Sequence, residues 1–104
     1  SMSRIEKLLE FIKTSGEDSF LQHALALEYV KIGNEEAARE LFTAILAREP
    51  SYTGSYYHLG KLYERLGEYG KAIETYQQGM EITRLAGDKH SYNELQMALE
   101  EIEE

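Results

Sequence analysis

The sequence has no cysteine, a single proline, few positive charges and no long apolar run, and each shortage removes a class of protein. Without cysteine there can be no disulfide framework and no thiolate metal site. With only Pro50 to interrupt the backbone ladder, and no alternating β-branched runs, the chain favours helices over strands. No stretch approaches the length needed to span a bilayer and no charged-then-apolar leader is present, so a cytoplasmic location without membrane insertion is expected. The 11 Lys and Arg are outnumbered by 19 Asp and Glu, for a net charge of -8. A surface of that sign repels polyanions, which argues against a generic nucleic-acid binder while leaving room for a local basic patch. At 104 residues the chain has the size of one domain with a modest core. Ser1 and Met2 read as an expression scar and are set aside.

What is present is a period. Leu25 returns as Leu59, Tyr29 as Tyr63, Gly33 as Gly67, Ala38 as Ala72 and Phe42 as Tyr76, each 34 positions on. Side chains that recur at a fixed step of this size mark stacked supersecondary units that must lean on one another to bury their apolar faces. The step also reaches back: Leu8 precedes Phe42 and Tyr76 by one and two periods, and Ile12 so precedes Leu46 and Met80.

Taken in order, Ile5, Leu8, Leu9 and Ile12, with Phe11 beside them, predict a first amphipathic helix with a broad apolar face, ended by Thr14, Ser15 and Gly16. Asp18 or Ser19 can cap a second helix that stops near Ile32, with Gly33 as its left-handed terminator. Asn34 can cap a third, with Glu35 and Glu36 in its first turn and Ala38, Leu41, Phe42 and Ile45 in its stripe. Pro50 closes that unit. Ser51 or Thr53 opens a fourth helix, and a fifth begins near Tyr69 and runs on to Gly87, since Arg84 stands where the first unit has its proline. Asp88 caps a sixth with Tyr92, Leu95, Leu99 and Ile102 on one face. Its acidic end, Glu100, Glu101, Glu103 and Glu104, suits a solubilising cap.

These positions resemble the tetratricopeptide repeat (TPR) family, in which an aromatic, Leu-Gly and Tyr mark the first helix of each pair and Ala, an aromatic, Ala and Pro the second. The fuller copy is Tyr56, Leu59–Gly60, Tyr63, Gly67, Ala72, Tyr76 and Gly79; the earlier is Leu25–Ala26, Tyr29, Gly33, Ala38, Phe42 and Pro50. Gln22, Ile45 and Arg84 depart from the pattern. The resemblance implies an all-α, right-handed α-solenoid of about six antiparallel helices. Its single domain would span 3–104: a half-repeat helix at 3–16, repeats at 19–52 and 53–86, and a capping helix at 88–103. It also implies a non-enzymatic interaction module whose first helices line a concave groove for a partner's peptide. The groove positions are Phe20, His23, Leu27, Val30 and Lys31 in the first repeat, and Gly54, Tyr57, His58, Lys61, Glu64 and Arg65 in the second. Lys31, Lys61 and Arg65 suggest a peptide with acidic and apolar side chains. The plainer alternative has Phe20, Leu27 and Val30 covered by neighbouring helices and the cations paired with glutamates.

Other chemistries are weaker. The family subclass that clamps a chaperone's C-terminal carboxylate wants Lys and Asn where this chain has His23, Leu27 and His58. A metal- or ligand-dependent enzyme built on His23, His58 and Glu64 lacks any tight His-rich motif, and no cofactor is expected. His90 and Glu94 form an ordinary helix-face pair. Gly70–Lys71 is no phosphate loop, because Arg65 and Ala72 occupy the positions that require Gly and Ser or Thr. No Ser or Thr sits in a nucleophile constellation. Of the tyrosines, Tyr56 and Tyr63 belong to the core, while Tyr52, Tyr57 and Tyr69 line the groove or cover helix ends. Two repeats are fewer than the usual three, so a homodimer that buries end surface is the main rival to peptide binding.

Overall fold

A computed structural model describes residues 1–103, which form six α-helices and, among the described residues, no strand: α1 (Arg4–Ser15), α2 (Ser19–Lys31), α3 (Glu35–Arg48), α4 (Gly54–Arg65), α5 (Tyr69–Ala86) and α6 (Lys89–Glu103). The chain divides into two compact units, Ser1–Glu49 and Pro50–Glu104.

In the first unit, helix starts are fixed by local polar groups that satisfy orphan N–H donors. Ser3 and Glu6 form a capping box on α1, with the Glu6 N–H donating to Ser3 Oγ at 3.1 Å and the Ser3 N–H to the Glu6 carboxylate at 2.8 Å. Asp18, one of the two caps expected, accepts from the Leu21 N–H at 3.0 Å, and Asn34 accepts from the Ala37 N–H at 3.3 Å. Substituting Asp18 with alanine should lower stability by about 1 kcal/mol, read as an earlier midpoint in a urea titration followed by helical ellipticity. Between α2 and α3 the chain turns at Gly33, whose φ of 78° a side chain would strain, and the Asn34 N–H donates back to Tyr29 O at 2.9 Å. One period later Gly67 has φ 75° and the Glu68 N–H donates to Tyr63 O at 2.8 Å. The two hairpin turns are thus the same device built twice.

The α2–α3 hairpin buries Leu25, Ala26, Ala38, Phe42 and Ile45. Its open end is tied by a polar chain. Arg48 donates to Ser19 Oγ at 2.6 Å and to Gln22 Oε1 at 2.8 Å, while the Ser19 hydroxyl donates to Glu49 at 2.7 Å. Gln22 therefore departs from the aromatic pattern for a reason: it receives Arg48. α1 packs on α2 but buries fully only Leu8; Leu9 and Phe11 stay 41% and 61% exposed, so the broad apolar face of this helix is largely uncovered.

In the second unit α4 and α5 form the matching hairpin, and α6 packs on both. Leu59 and Tyr76 are as buried as their counterparts Leu25 and Phe42. Thr53 stands at the start of α4 without a side-chain capping bond; the chain is instead anchored by Tyr56, whose hydroxyl donates to Pro50 O at 2.6 Å. The small residues are packing devices. Gly60 lies against the Tyr76 ring, and a β-carbon there would come within 2.6 Å of Tyr76 Cδ1 and Cζ. α5 runs four residues past the end of α3 in repeat register, because Arg84 continues the ladder that Pro50 would break. The added turn buries Thr83, which donates to Gly79 O at 2.8 Å. α6 presents Leu95, Ala98 and Leu99 inward, with Tyr92 and Ile102 half-buried at the ends of that face.

Candidate functional site

The expected groove residues fall on α2 in the first unit and on α4 in the second, and the two sets differ in chemistry. On α2, Phe20 is 71% exposed, Leu27 and Val30 are half-buried, and His23 meets Phe42 edge-on with ring centroids 5.6 Å apart. Lys31 lies 3.6 Å from Glu28, whose carboxylate also receives Arg4 of α1 at 3.3 Å. Phe20 is thus not covered by a neighbouring helix, whereas Lys31 does pair with a glutamate.

On α4 the same places carry polar groups that bond to one another. Leu27 becomes Lys61 and Val30 becomes Glu64, and on the paired helix α5 Tyr76 stands where α3 has Phe42. The added Tyr76 hydroxyl donates to the Glu64 carboxylate. Lys61 lies 3.6 Å from Glu64, 3.8 Å from Glu101 of α6 and 5.6 Å from the centre of the Tyr57 ring. The three positions differ together between the repeats, so an apolar tier in one, buried at Phe42 and half-buried at Leu27 and Val30, is a satisfied polar tier in the other. Burial, and after it the bond to Glu64, pushes the Tyr76 phenol well above its ordinary range, so it remains a donor at any physiological pH. Tyr57 meets His58 edge-on at 5.5 Å. Burial holds the His58 imidazole below its usual value; Glu94 of α6 opposes the shift and Arg65 adds to it. The ring is therefore predominantly neutral at pH 7.

The sequence did not reveal the part α6 plays here. Because α6 packs on α4, its Glu94 and Glu101 act on His58 and Lys61, so the α4 surface is framed by a carboxylate-bearing helix. Nothing local in the chain carries that signal, since α6 is out of step with the 34-residue period. Sequence reasoning also missed a cavity of about 240 Å³ where α5 hands over to α6, lined by Thr83, Arg84, Gly87, Asp88, Lys89 and Tyr92. Two of its charged groups are engaged internally: Arg84 pairs with Glu81 at 2.8 Å and Asp88 accepts from the Ser91 N–H at 3.1 Å.

Among the described residues no group of three or more His, Asp or Glu side chains is placed to hold a metal ion. No helix among them is long and apolar enough to cross a membrane. His23 belongs to one unit and His58 and Glu64 to the other, and each side chain has partners within its own unit.

Comparison with known proteins gives a consistent family. A family model described as tetratricopeptide repeat matches residues 23–82, from the middle of α2 to the last turns of α5. The crystal structure of a tetratricopeptide repeat domain protein from Salinibacter ruber is similar at 46% identity, with a TM-score of 0.80, over 84% of this chain and 97% of that one. A TPR repeat-containing protein of Pseudomonas aeruginosa is 24% identical over 99 residues, which is 95% of this chain and 94% of the relative. A Bordetella parapertussis protein solved in solution shares the fold at a TM-score of 0.85 and 22% identity, over 98% of this chain and 89% of that one. The helical-repeat class that the period implies is therefore the class observed.

Proposed function

Since the chain belongs to the tetratricopeptide repeat family, whose fold serves in general as a protein–protein interaction module and not as an enzyme, we propose that it binds a peptide segment of a partner protein on the first helices of its repeats. The proposed contact residues are Phe20, His23, Leu27 and Lys31 on α2 of the first unit, and Tyr57, His58, Lys61, Glu64 and Arg65 on α4 of the second. Phe20 and Tyr57 would serve as apolar anchors, and Lys61 and Arg65 as charge partners for acidic side chains. The observation that carries this reading is Phe20: an aromatic ring 71% exposed on a repeat's first helix, in one stripe with Leu27 and Lys31. Exposed aromatic rings rimmed by polar groups are the usual energetic centres of interfaces. Lys61 is already paired, so its role is to hold Glu64 and the Tyr57 ring in place as much as to meet a ligand. The family pattern and the acidic balance of the chain support a protein partner over nucleic acid or membrane.

To test this, the protein would be used to select binders from a displayed random-peptide library. Peptides enriched in acidic and apolar residues are expected, with affinity at least tenfold weaker for Phe20→Ala and for Arg65→Glu, both at exposed sites. Selected peptides that bind both variants as tightly as the parent would defeat the reading. The rival reading, self-association, draws on the uncovered Leu9 and Phe11 of α1, and it predicts a weight-average mass that rises with concentration in sedimentation.

A further inference from the structure

We propose that the binding surface of the first unit extends onto α1, as a two-ended site for a short partner segment that carries an apolar anchor at one end and carboxylates at the other. This rests on the peptide-binding reading above and adds residues that the repeat pattern does not supply. Arg4, Lys7 and Phe11 stand three and four residues apart on α1, which sets them on one stripe of the helix. Phe20 and Lys31, eleven apart, share a stripe of α2. The two stripes adjoin, because Arg4 and Lys31 both reach the Glu28 carboxylate, at 3.3 Å and 3.6 Å. With the N-terminal end of α1 thus beside the C-terminal end of α2, and only residues 16–18 between the helices, the C-terminal end of α1, with Phe11, comes back alongside the N-terminal end of α2, with Phe20. The outcome is one surface with two exposed phenylalanines at one end and three cations at the other, two of which, Arg4 and Lys31, share the Glu28 carboxylate. Two helical turns of α1, on the order of 10 Å, separate the ends.

Comparison with the other second helices shows that this stripe is not an ordinary packing face. In repeat register, Arg4 stands where α3 has Ala38 and α5 has Ala72; Phe11 stands where they have Ile45 and Gly79, and those four are buried. Lys7 matches Leu41 and Thr75. An alanine at the first place lets a helix approach closely, and Arg4 forbids it. The face is therefore unsuited to another repeat helix, and its charge is opposite to that of a protein carrying -8 overall. Charge complementarity selects an acidic segment, and the phenylalanine pair selects an aliphatic or aromatic anchor.

The probe is a fluorescein-labelled twelve-residue peptide with two leucines at one end and four glutamates at the other, titrated by anisotropy beside its scramble and its Glu-to-Gln version. The expected result is binding that weakens at least tenfold in Phe11→Ser, weakens severalfold in Lys7→Gln and in the Glu-to-Gln peptide, and falls with added salt. Both substitutions are at exposed positions, and helical ellipticity verifies folding. Failure of the probe to bind overturns the proposal. So does binding that Phe11→Ser and Lys7→Gln leave intact; if Phe20→Ala or Arg65→Glu still abolishes it, the broader peptide-binding reading survives. A dimer in sedimentation that Phe11→Ser dissociates would also overturn it, by assigning this face to a second copy.

Discussion

Gly79→Ala is expected to destabilise the second unit by about 2–3 kcal/mol, although alanine is the better helix former. A β-carbon at this position would lie 2.7 Å from Tyr56 Cβ, 2.8 Å from Leu95 Cδ1 and 2.9 Å from Tyr56 Cγ. The Tyr56 β-carbon is fixed to the α4 backbone and cannot swing aside, so the methyl group must push α4 and α6 away from α5. Gly70 supplies the control within the same helix. Nothing lies within 4 Å of where its β-carbon would sit, so Gly70→Ala should gain about 0.5–1 kcal/mol from propensity alone. Urea titrations of the two variants by circular dichroism should move in opposite directions from the parent. A Gly79→Ala midpoint at or above the parental one would show that the three helices do not meet as described.

The second large effect is at Tyr76, the largest fully buried side chain, held between the Gly60 backbone and the carboxylate of Glu64. Tyr76→Ala empties that space and should cost about 3–5 kcal/mol, as removal of a core aromatic usually does. Tyr76→Phe keeps the ring and copies the residue that the first repeat uses, Phe42; it should cost about 1–2 kcal/mol, because Glu64 loses a donor while keeping Lys61. The ratio of the two losses is informative. If the phenylalanine variant fell as far as the alanine variant, the hydroxyl and not the packed ring would hold the hairpin together. Phe42→Ala in the first unit should then resemble Tyr76→Ala, since the two rings occupy equivalent places at equal burial.

Much of this architecture was readable from the chain because the forces that fix it are local or periodic. Asp18, Asn34 and Asp88 act on N–H groups three residues away, so helix starts are written beside the helices they start. Gly33 and Gly67 announce two turns for a conformational reason that does not depend on distant contacts. The buried set Leu25, Phe42, Leu59 and Tyr76 follows from the period itself. The candidate site was less legible. That Phe20 stays exposed, that Arg4 joins Lys31 at Glu28 and that Glu101 joins Glu64 at Lys61 depend on which helix lies alongside, and a stripe on one helix does not name its neighbour. Gln22 departs from the repeat pattern, and the group it serves, the Arg48 guanidinium that donates to it, lies 26 residues later in the chain.

By itself the sequence determined six helices, their ends, the repeat step and the family, because capping, turn chemistry and burial at a fixed period are all encoded within one or two turns of each residue. Only the tertiary structure decided that α6 would set Glu94 and Glu101 against the α4 surface, that Leu9 and Phe11 would stay uncovered, and that Arg4 and Lys31 would share Glu28. Those outcomes depend on how far apart and at what rotation whole helices come to rest, which is a sum over many side-chain contacts and is written at no single position in the chain.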